Sequence, residues 1–451
     1  MAESRTPILS SLDRSRLLDL VSKAAVHSVR SDNIRIETTA RFEDIPACQL
    51  MHERREELRP LQWDPFFQPY ESIGKNTAQI AGRASLNFNT YDYLDLNGHP
   101  EVVQAGLDAA TRFGFSASAS RLVGGERPVH RELETLLASI YETEDCVVFV
   151  SGHATNVSTL ATLFGPGDCI VHDSLAHNSL VQGALLSRAH RLPFPHNDME
   201  ALESVLANRP RGCGRTVIVS EGLFSMDGCL GNLPALIELK KKYRSFLMID
   251  EAHSLGTLGA TGRGVWEHFG FDPREVDIWM GTLSKTACAC GGFIAGRSLL
   301  VETLKNLAPG FVFSVGMSPP LAAAARTALG IMLREPQRVA ALQNLSRFFL
   351  EHARLLGLDT GRAEGHAVEP VMIGSKAEAF FLAKMLAAHG VSAMPLAHPA
   401  VEENAARLRF FLSAAHSEKD IRQALATVAD LLPQVRTMAA KSAQLTSNGR
   451  F

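Results

Sequence analysis

Six short apolar runs restrict the possible folds of this chain more than any other feature. They are CVVFVSG (146–152), CIVHDSL (169–175), RTVIVSEG (215–222), SFLMIDEA (245–252), VDIWMGTLS (276–284) and GGFIAG (291–296). The runs do not alternate polar with apolar, so each reads as a strand buried on both faces. Between them lie stretches of helical character, such as HATNVSTLATLFG (153–165) and LPALIELKKKY (233–243). The second has an apolar face and ends in lysines, which suit the negative end of a helix dipole. Strands and helices in alternation predict an α/β fold whose mostly parallel central sheet is flanked by helices.

The rest of the chain divides around this core. Residues 1–60 read as a helical arm, with apolar residues at helical spacing in LSSLDRSRLLDLVSKAAVHSV (9–29) and a polar linker up to QWDPFFQPYES. A large domain is expected over 61–330, its first part (to about residue 100) a small separate segment. Beyond it, REPQRVAALQNLSRFFLEHARLLG (334–357) reads as a helix, and VEPVMIG (368–374) and ARLRFFLSAAH (406–416) as strands around the helical FFLAKMLAAHG (380–390). These predict a smaller C-terminal α+β domain over 331–440, with 441–451 as a tail.

Bulk properties exclude several classes. A net charge of −3 over 451 residues points to no nucleic-acid partner. The longest apolar stretch, FVFSVGMSPPLAAAARTALGIML (311–333), contains two prolines and an arginine, so no membrane span is expected. With no secretory leader pattern in MAESRTPILSSLDRSR, a cytoplasmic location is expected. The seven cysteines (48, 146, 169, 213, 229, 288, 290) are scattered and read as free thiols, and C-x-C at 288–290 is no metal framework.

Chemistry is expected where the strands end, because ligands of such sheets sit at the carboxyl edge. The runs deliver Ser151-Gly152-His153, His177, Glu221 with Ser225 and Asp227, Asp250 with His253, and Thr282 with Ser284 and Lys285. A lysine after a Gly-Thr-x-Ser turn can form a Schiff base, and nearby hydroxyls and amides can hold a phosphate. A deep carboxylate can keep a pyridinium nitrogen protonated. Together these are the parts of a pyridoxal 5′-phosphate site.

DEAHSLGTLGATGRG (250–264) followed by GTLSKTACACGGF (281–293) resembles the signature of the α-oxoamine synthases, pyridoxal-phosphate enzymes of fold type I. The likeness runs from NFNTYDYLDLNGHP (87–100) to ARLRFFLSAAHS (406–417). SASRLVGGERPVHRELE, SGHATN, DSLAHNSLVQG, FPHND and EGLFSMDG stand between, in the family's order. The resemblance implies that Lys285 is the Schiff-base lysine and the base for the α-proton. It implies that Asp250 pairs with the ring nitrogen, that His253 approaches the phenolic oxygen and that His177 stacks on the ring. Gly152, His153, Thr282 and Ser284 are implied phosphate contacts, Ser225 another cofactor contact, and Ser314 a phosphate contact supplied across a homodimer. Arg409 is implied to clamp the substrate carboxylate, with Tyr91, Ser120, His130 and Arg121 nearby. Alternatives stand beside these: His177 as a helix cap, His130 as an ordinary helix residue, Arg121 in a structural salt bridge.

The implied reaction is a decarboxylating condensation of glycine, alanine or serine with an acyl thioester, carried by coenzyme A or a carrier protein, to an α-aminoketone. A 2-amino-3-ketobutyrate ligase or aminotransferase activity is the alternative on the same scaffold. A non-catalytic regulatory subunit is disfavoured by Lys285, Asp250 and His177 together. The arm offers a docking element for a carrier protein, or a wrap for the dimer. Departures cluster near the substrate: Tyr91 replaces an asparagine, Asp95 a glycine, and no Arg-Pro-Pro precedes Arg409.

Overall fold

The computed structural model describes residues 40–447, and the chain divides into two units, Met1–Phe67 and Gln68–Phe451. In the first, helix Pro46–Leu58 lies between 3-10 turns Phe42–Asp44 and Arg59–Leu61. This stretch was expected to be a linker or part of the arm. It is rich in strong helix formers, and its proline occupies the first turn, where a missing N–H costs nothing. The helix expected near residue 20 lies outside the described residues.

The second unit is built on a seven-stranded sheet. Its strands are numbered after β1 (Tyr70–Ile73), β2 (Thr77–Ile80) and β3 (Arg83–Asn87), which precede it in the chain. They are β4 (Asp145–Phe149), β5 (Cys169–Asp173), β6 (His190–Phe194), β7 (Thr216–Glu221), β8 (Phe246–Asp250), β9 (Ile278–Thr282) and β10 (Gly292–Gly296). The order is β4-β10-β9-β8-β7-β5-β6. Only β10 runs against its neighbours. All six expected strands are present. The additional one, β6, is a partly exposed edge strand with a proline. Its sequence HRLPF lacks an apolar run because an edge strand need not bury both faces. Val147, Phe149, Val217, Val219, Met248, Met280 and Ile294 pack one sheet face against helices that contribute Leu160, Leu180 and Leu304.

Three further strands, β11 (Val368–Gly374), β13 (Met394–Leu396) and β14 (Ala406–Phe411), form an antiparallel sheet in the order β11-β14-β13. The two-residue β12 (Val391–Ser392) pairs in parallel with β3, so the segment from Tyr70 to Asn87 joins the C-terminal part of the chain. Helix Glu418–Ser447 continues through Pro433 into the expected tail.

Two local findings change the sequence reading. Cys169 and Cys213 form a disulfide, with Cα atoms 6.3 Å apart, so these two are not free thiols. Cys169 opens β5, and its amide donates to the carbonyl of Arg215, two residues after Cys213. Pairing of β5 with β7 therefore brings together cysteines that stand 44 residues apart in sequence. Asp95 has φ +55°. Glycine takes this left-handed region most readily, and aspartate is among the few other residues that tolerate it.

Candidate active site

Asp250 ends β8 in a buried position and is held from two sides. The Ala252 amide donates to Oδ1 at 2.9 Å, and Asn156 Nδ2 donates to Oδ2 at 2.8 Å. The second Asn156 hydrogen goes to Ser179 Oγ at 2.9 Å, and Ser179 Oγ lies 2.7 Å from His177 Nδ1. This chain of bonds ties the β8 carboxylate to the imidazole that follows β5. His177 also caps helix Asn178–Ser187 through Nδ1, which accepts from the Ser179 amide. The capping that stood as the alternative for His177 is therefore present. Burial lowers the His177 pKa, opposed by Asp250. Its amide donates to Glu221 Oε1 at 2.6 Å, and burial, then the Asp250 charge, pushes the Glu221 carboxyl well above the usual range.

Lys285 sits in the turn between β9 and β10. Ladder partners Thr282 and Gly292 close this turn, and inside it Leu283 N donates to Gly291 O (2.9 Å), Ala289 N to Leu283 O (2.8 Å) and Cys288 N to Lys285 O (2.9 Å). Thr286 Oγ1 donates to Leu255 O at 2.8 Å. Burial lowers the Lys285 amine to about 7, Asp250 and Glu221 opposing and Arg409 assisting. A free amine near neutrality is what a base or nucleophile requires.

His253 is buried, with Nδ1 2.7 Å from the Tyr93 hydroxyl and its ring stacked on Phe411 at 6.1 Å. Burial, then Lys285 and Arg409, holds its pKa well below the ordinary value. From β14, Arg409 Nη1 donates to Ser225 O at 3.1 Å, and its guanidinium lies 4.4 Å from the Phe411 ring. Arg409 Nε is buried without a hydrogen-bond partner. Tyr91 closes the group: Lys285 Nζ lies 5.7 Å from its ring, and Phe411 4.7 Å.

Helix Gly152–Leu163 starts directly above Thr282. A Cβ at Gly152 would meet Thr282 Oγ1 at 2.9 Å, so only glycine permits this approach. Thr282 Oγ1 and Ser284 Oγ are 2.8 Å apart, and His153 and Ser284 are exposed beside them. The first amides of a helix lack internal partners, so this corner is a cradle for an anion.

Three expected residues do other work. Arg121 is not free for a substrate: its guanidinium binds Glu126 (2.7 and 2.8 Å) and buried Glu134 (2.5 and 3.2 Å), the structural pairing that stood as its alternative. His130 is likewise used up in the fold, Nδ1 accepting from Arg127 N (3.1 Å) and Nε2 meeting Met317 O (2.7 Å). Ser120 Oγ donates to Val312 O at 2.7 Å. Ser314 stands half-buried between exposed Phe313 and Val315. Asn156 and Tyr93 went unassigned in the sequence reading. The one signal for Asn156 was its place in SGHATN, directly after a strand end.

These parts suit pyridoxal 5′-phosphate: a deep carboxylate, a lysine with a lowered pKa, an anion cradle, and a buried arginine nitrogen awaiting a partner. A family model for aminotransferase class I and II matches residues 83–428. The 8-amino-7-oxononanoate synthase of Geobacter sulfurreducens is 40% identical, over 83% of this chain and 96% of its own. That of Pseudomonas putida W619 is 38% identical over 86% and 97%. Among solved structures, Sphingomonas wittichii serine palmitoyltransferase matches with a TM-score of 0.84 and 29% identity, over 88% of this chain and all of its own. The chain belongs to the α-oxoamine synthases, within the aminotransferase class I and II family. This synthase is a pyridoxal-phosphate-dependent acyltransferase of fold type I. Among its described residues, no helix is long and apolar enough to cross a membrane.

Proposed function

We propose that the protein condenses a small amino acid (glycine, alanine or serine) with an acyl thioester, releasing carbon dioxide and free thiol and leaving an α-aminoketone. The observation that carries this reading is Lys285, its amine lowered to about 7 beside Asp250 at the carboxyl edge of the sheet. Pyridoxal 5′-phosphate, when bound, supplies an electron sink for the carbon that loses its proton.

The residues divide the work. Lys285 Nζ takes the α-proton and later returns one. Asp250, fixed by Asn156 and Ala252, would pair with the cofactor nitrogen. His177 would cover one face of the ring, and His253, oriented by Tyr93, would approach its phenolic oxygen. Gly152 and His153 amides, with the Thr282 and Ser284 hydroxyls, hold the phosphate, and Ser225 is a further cofactor contact. Arg409 engages the substrate carboxylate through its unpartnered Nε, an arrangement in which arginine is strong. Tyr91 and Phe411 exclude water beside it, which protects a carbanion from quenching.

The working unit is read as a homodimer in the cytoplasm. Phe115 (80% exposed), Val123 (85%) and Phe313 (87%) lie on two segments tied by Gly316 N to Ala119 O and Ser318 Oγ to Phe115 O. An apolar face of this kind suits a second copy of the chain, which would place Ser314 at the neighbour's phosphate. Residues 61–330 and 331–440 are read as the large and small domains around the site.

Absorbance spectra test the reaction. With pyridoxal phosphate the protein is expected to show a visible band. One of glycine, L-alanine and L-serine should shift it further only when an acyl thioester is present. A protein that stays colourless with added pyridoxal phosphate overturns the reading, and turnover with a 2-oxo acid in place of the thioester would support an aminotransferase.

A further inference from the structure

The FPHND motif contributes nothing to the chemistry above, yet its histidine joins a buried group. Asp173 ends β5, His196 follows β6 by two residues, and Cys229 lies in the loop between β7 and helix Leu233–Tyr243. His196 Nδ1 is 3.0 Å from both Asp173 oxygens, and His196 Nε2 is 3.2 Å from Cys229 Sγ. Cys229 is only 3% exposed, too enclosed for a nucleophile that must reach a substrate. Burial pushes its thiol up to about 12. The thiol therefore keeps its proton and donates it to Nε2, and Nδ1–H donates to Asp173.

The adjoining residue reinforces this anchor. Asn197 N donates to Asp173 Oδ2 (3.0 Å), Asn197 Nδ2 to Leu230 O (2.7 Å), and Asn232 N to Asn197 Oδ1 (3.2 Å). The His196 ring also stands edge-on to Phe224 at 4.5 Å. The loop fixed in this way, residues 224–230, reaches across to β14. Its Ser225 carbonyl accepts from Arg409 (3.1 Å), and Met226 O and Asp227 Oδ1 both accept from Arg407 Nη1 at 2.9 Å. Gly228 lies so near Val368 O that a Cβ there would come within 2.1 Å.

We infer that Cys229, His196 and Asp173 are positioning residues, a buried relay that sets the Ser225 loop and through it the placement of Arg409. The inference rests on the reading of Arg409 as the substrate-carboxylate group. Asp173 stands four residues before His177, so one carboxylate references both the His177 segment and the Ser225 loop to the same strand end.

The test uses the full-length protein loaded with pyridoxal phosphate. Cys229→Ala is expected to raise KM for the amino acid about fivefold, the effect of one lost hydrogen bond of ~1 kcal/mol, with kcat and cofactor absorbance nearly unchanged. Cys229→Ser, which keeps a donor, should restore KM. An unchanged KM in Cys229→Ala overturns the relay, as does a KM defect that Cys229→Ser leaves in place. If Cys229→Ala does not fold, Asn197→Ala removes the bonds to Leu230 and Asn232 and should give the same split between KM and kcat. An unchanged KM there also counts against the inference. Arg409→Ala separates the two levels: normal amino-acid KM in that variant brings down the underlying reading, whatever Cys229 does.

Discussion

On the sheet side of the site, Asp250, His177 and Glu221 each have partners within the chain, whereas on β14 Arg409 keeps a buried Nε with none. The three groups of this first wall are engaged before anything binds. The second wall is left with the Arg409 Nε–H donor unused. Tyr91, one of the departures from the family pattern, stands beside the second wall, where its ring meets Phe411 at 4.7 Å. A common cofactor demands the same contacts in every relative, and varied substrates do not.

Replacing one residue on each wall tests that contrast. Lys285→Ala should cost about a thousandfold in kcat, the scale of a positioned base, and remove the visible band of the loaded protein. Arg409→Ala should instead raise the amino-acid KM by about 10–100-fold and preserve the band, as expected for loss of a charge-assisted pair. Equal losses of kcat in both variants would erase the distinction between the walls.

A smaller effect belongs to Glu251, buried behind the sheet wall, where burial raises its carboxyl from 4.5 to about 8. Between those values the folded protein holds a proton that the unfolded chain releases, so this group's contribution to stability falls as pH rises. Glu251→Gln mimics the protonated form and should flatten the loss of Tm across that window. An unchanged slope would show that Glu251 does not titrate there. Smallest is Asp95→Gly, which relieves a left-handed residue beside Asp92 and should add a few tenths to ~1 kcal/mol with KM unaltered. A lower Tm would assign the aspartate side chain a role of its own.

Much of the first wall was legible because parallel strands advertise themselves as Val/Ile runs, and a polar residue at the end of such a run has few reasons to be there. The edge strand β6 and the exposed strand β1 lack that signal, being partly open to solvent. Arg121 and His130 show the limit for single residues. Their motif was visible, but Glu134 and the Met317 carbonyl, which consume them, arrive through the tertiary fold. Asn156 was hidden for the opposite reason: a helix carries it, and only the packing of that helix against the sheet turns its amide toward Asp250. The Cys169–Cys213 bond likewise depends on strand pairing, which spacing alone does not reveal.

The antiparallel β10 has a mechanical consequence. Because the chain climbs β9, passes Lys285 and descends at once on β10, the lysine backbone is pinned at both ends of a short bracket in the middle of the sheet. Bonds within the turn hold its main chain together. Whatever distance the amine must travel between taking a proton and returning it falls to rotations about its own four-carbon stem. Lys285 is in that sense a swing arm on a fixed pivot, and its reach is set by side-chain length alone.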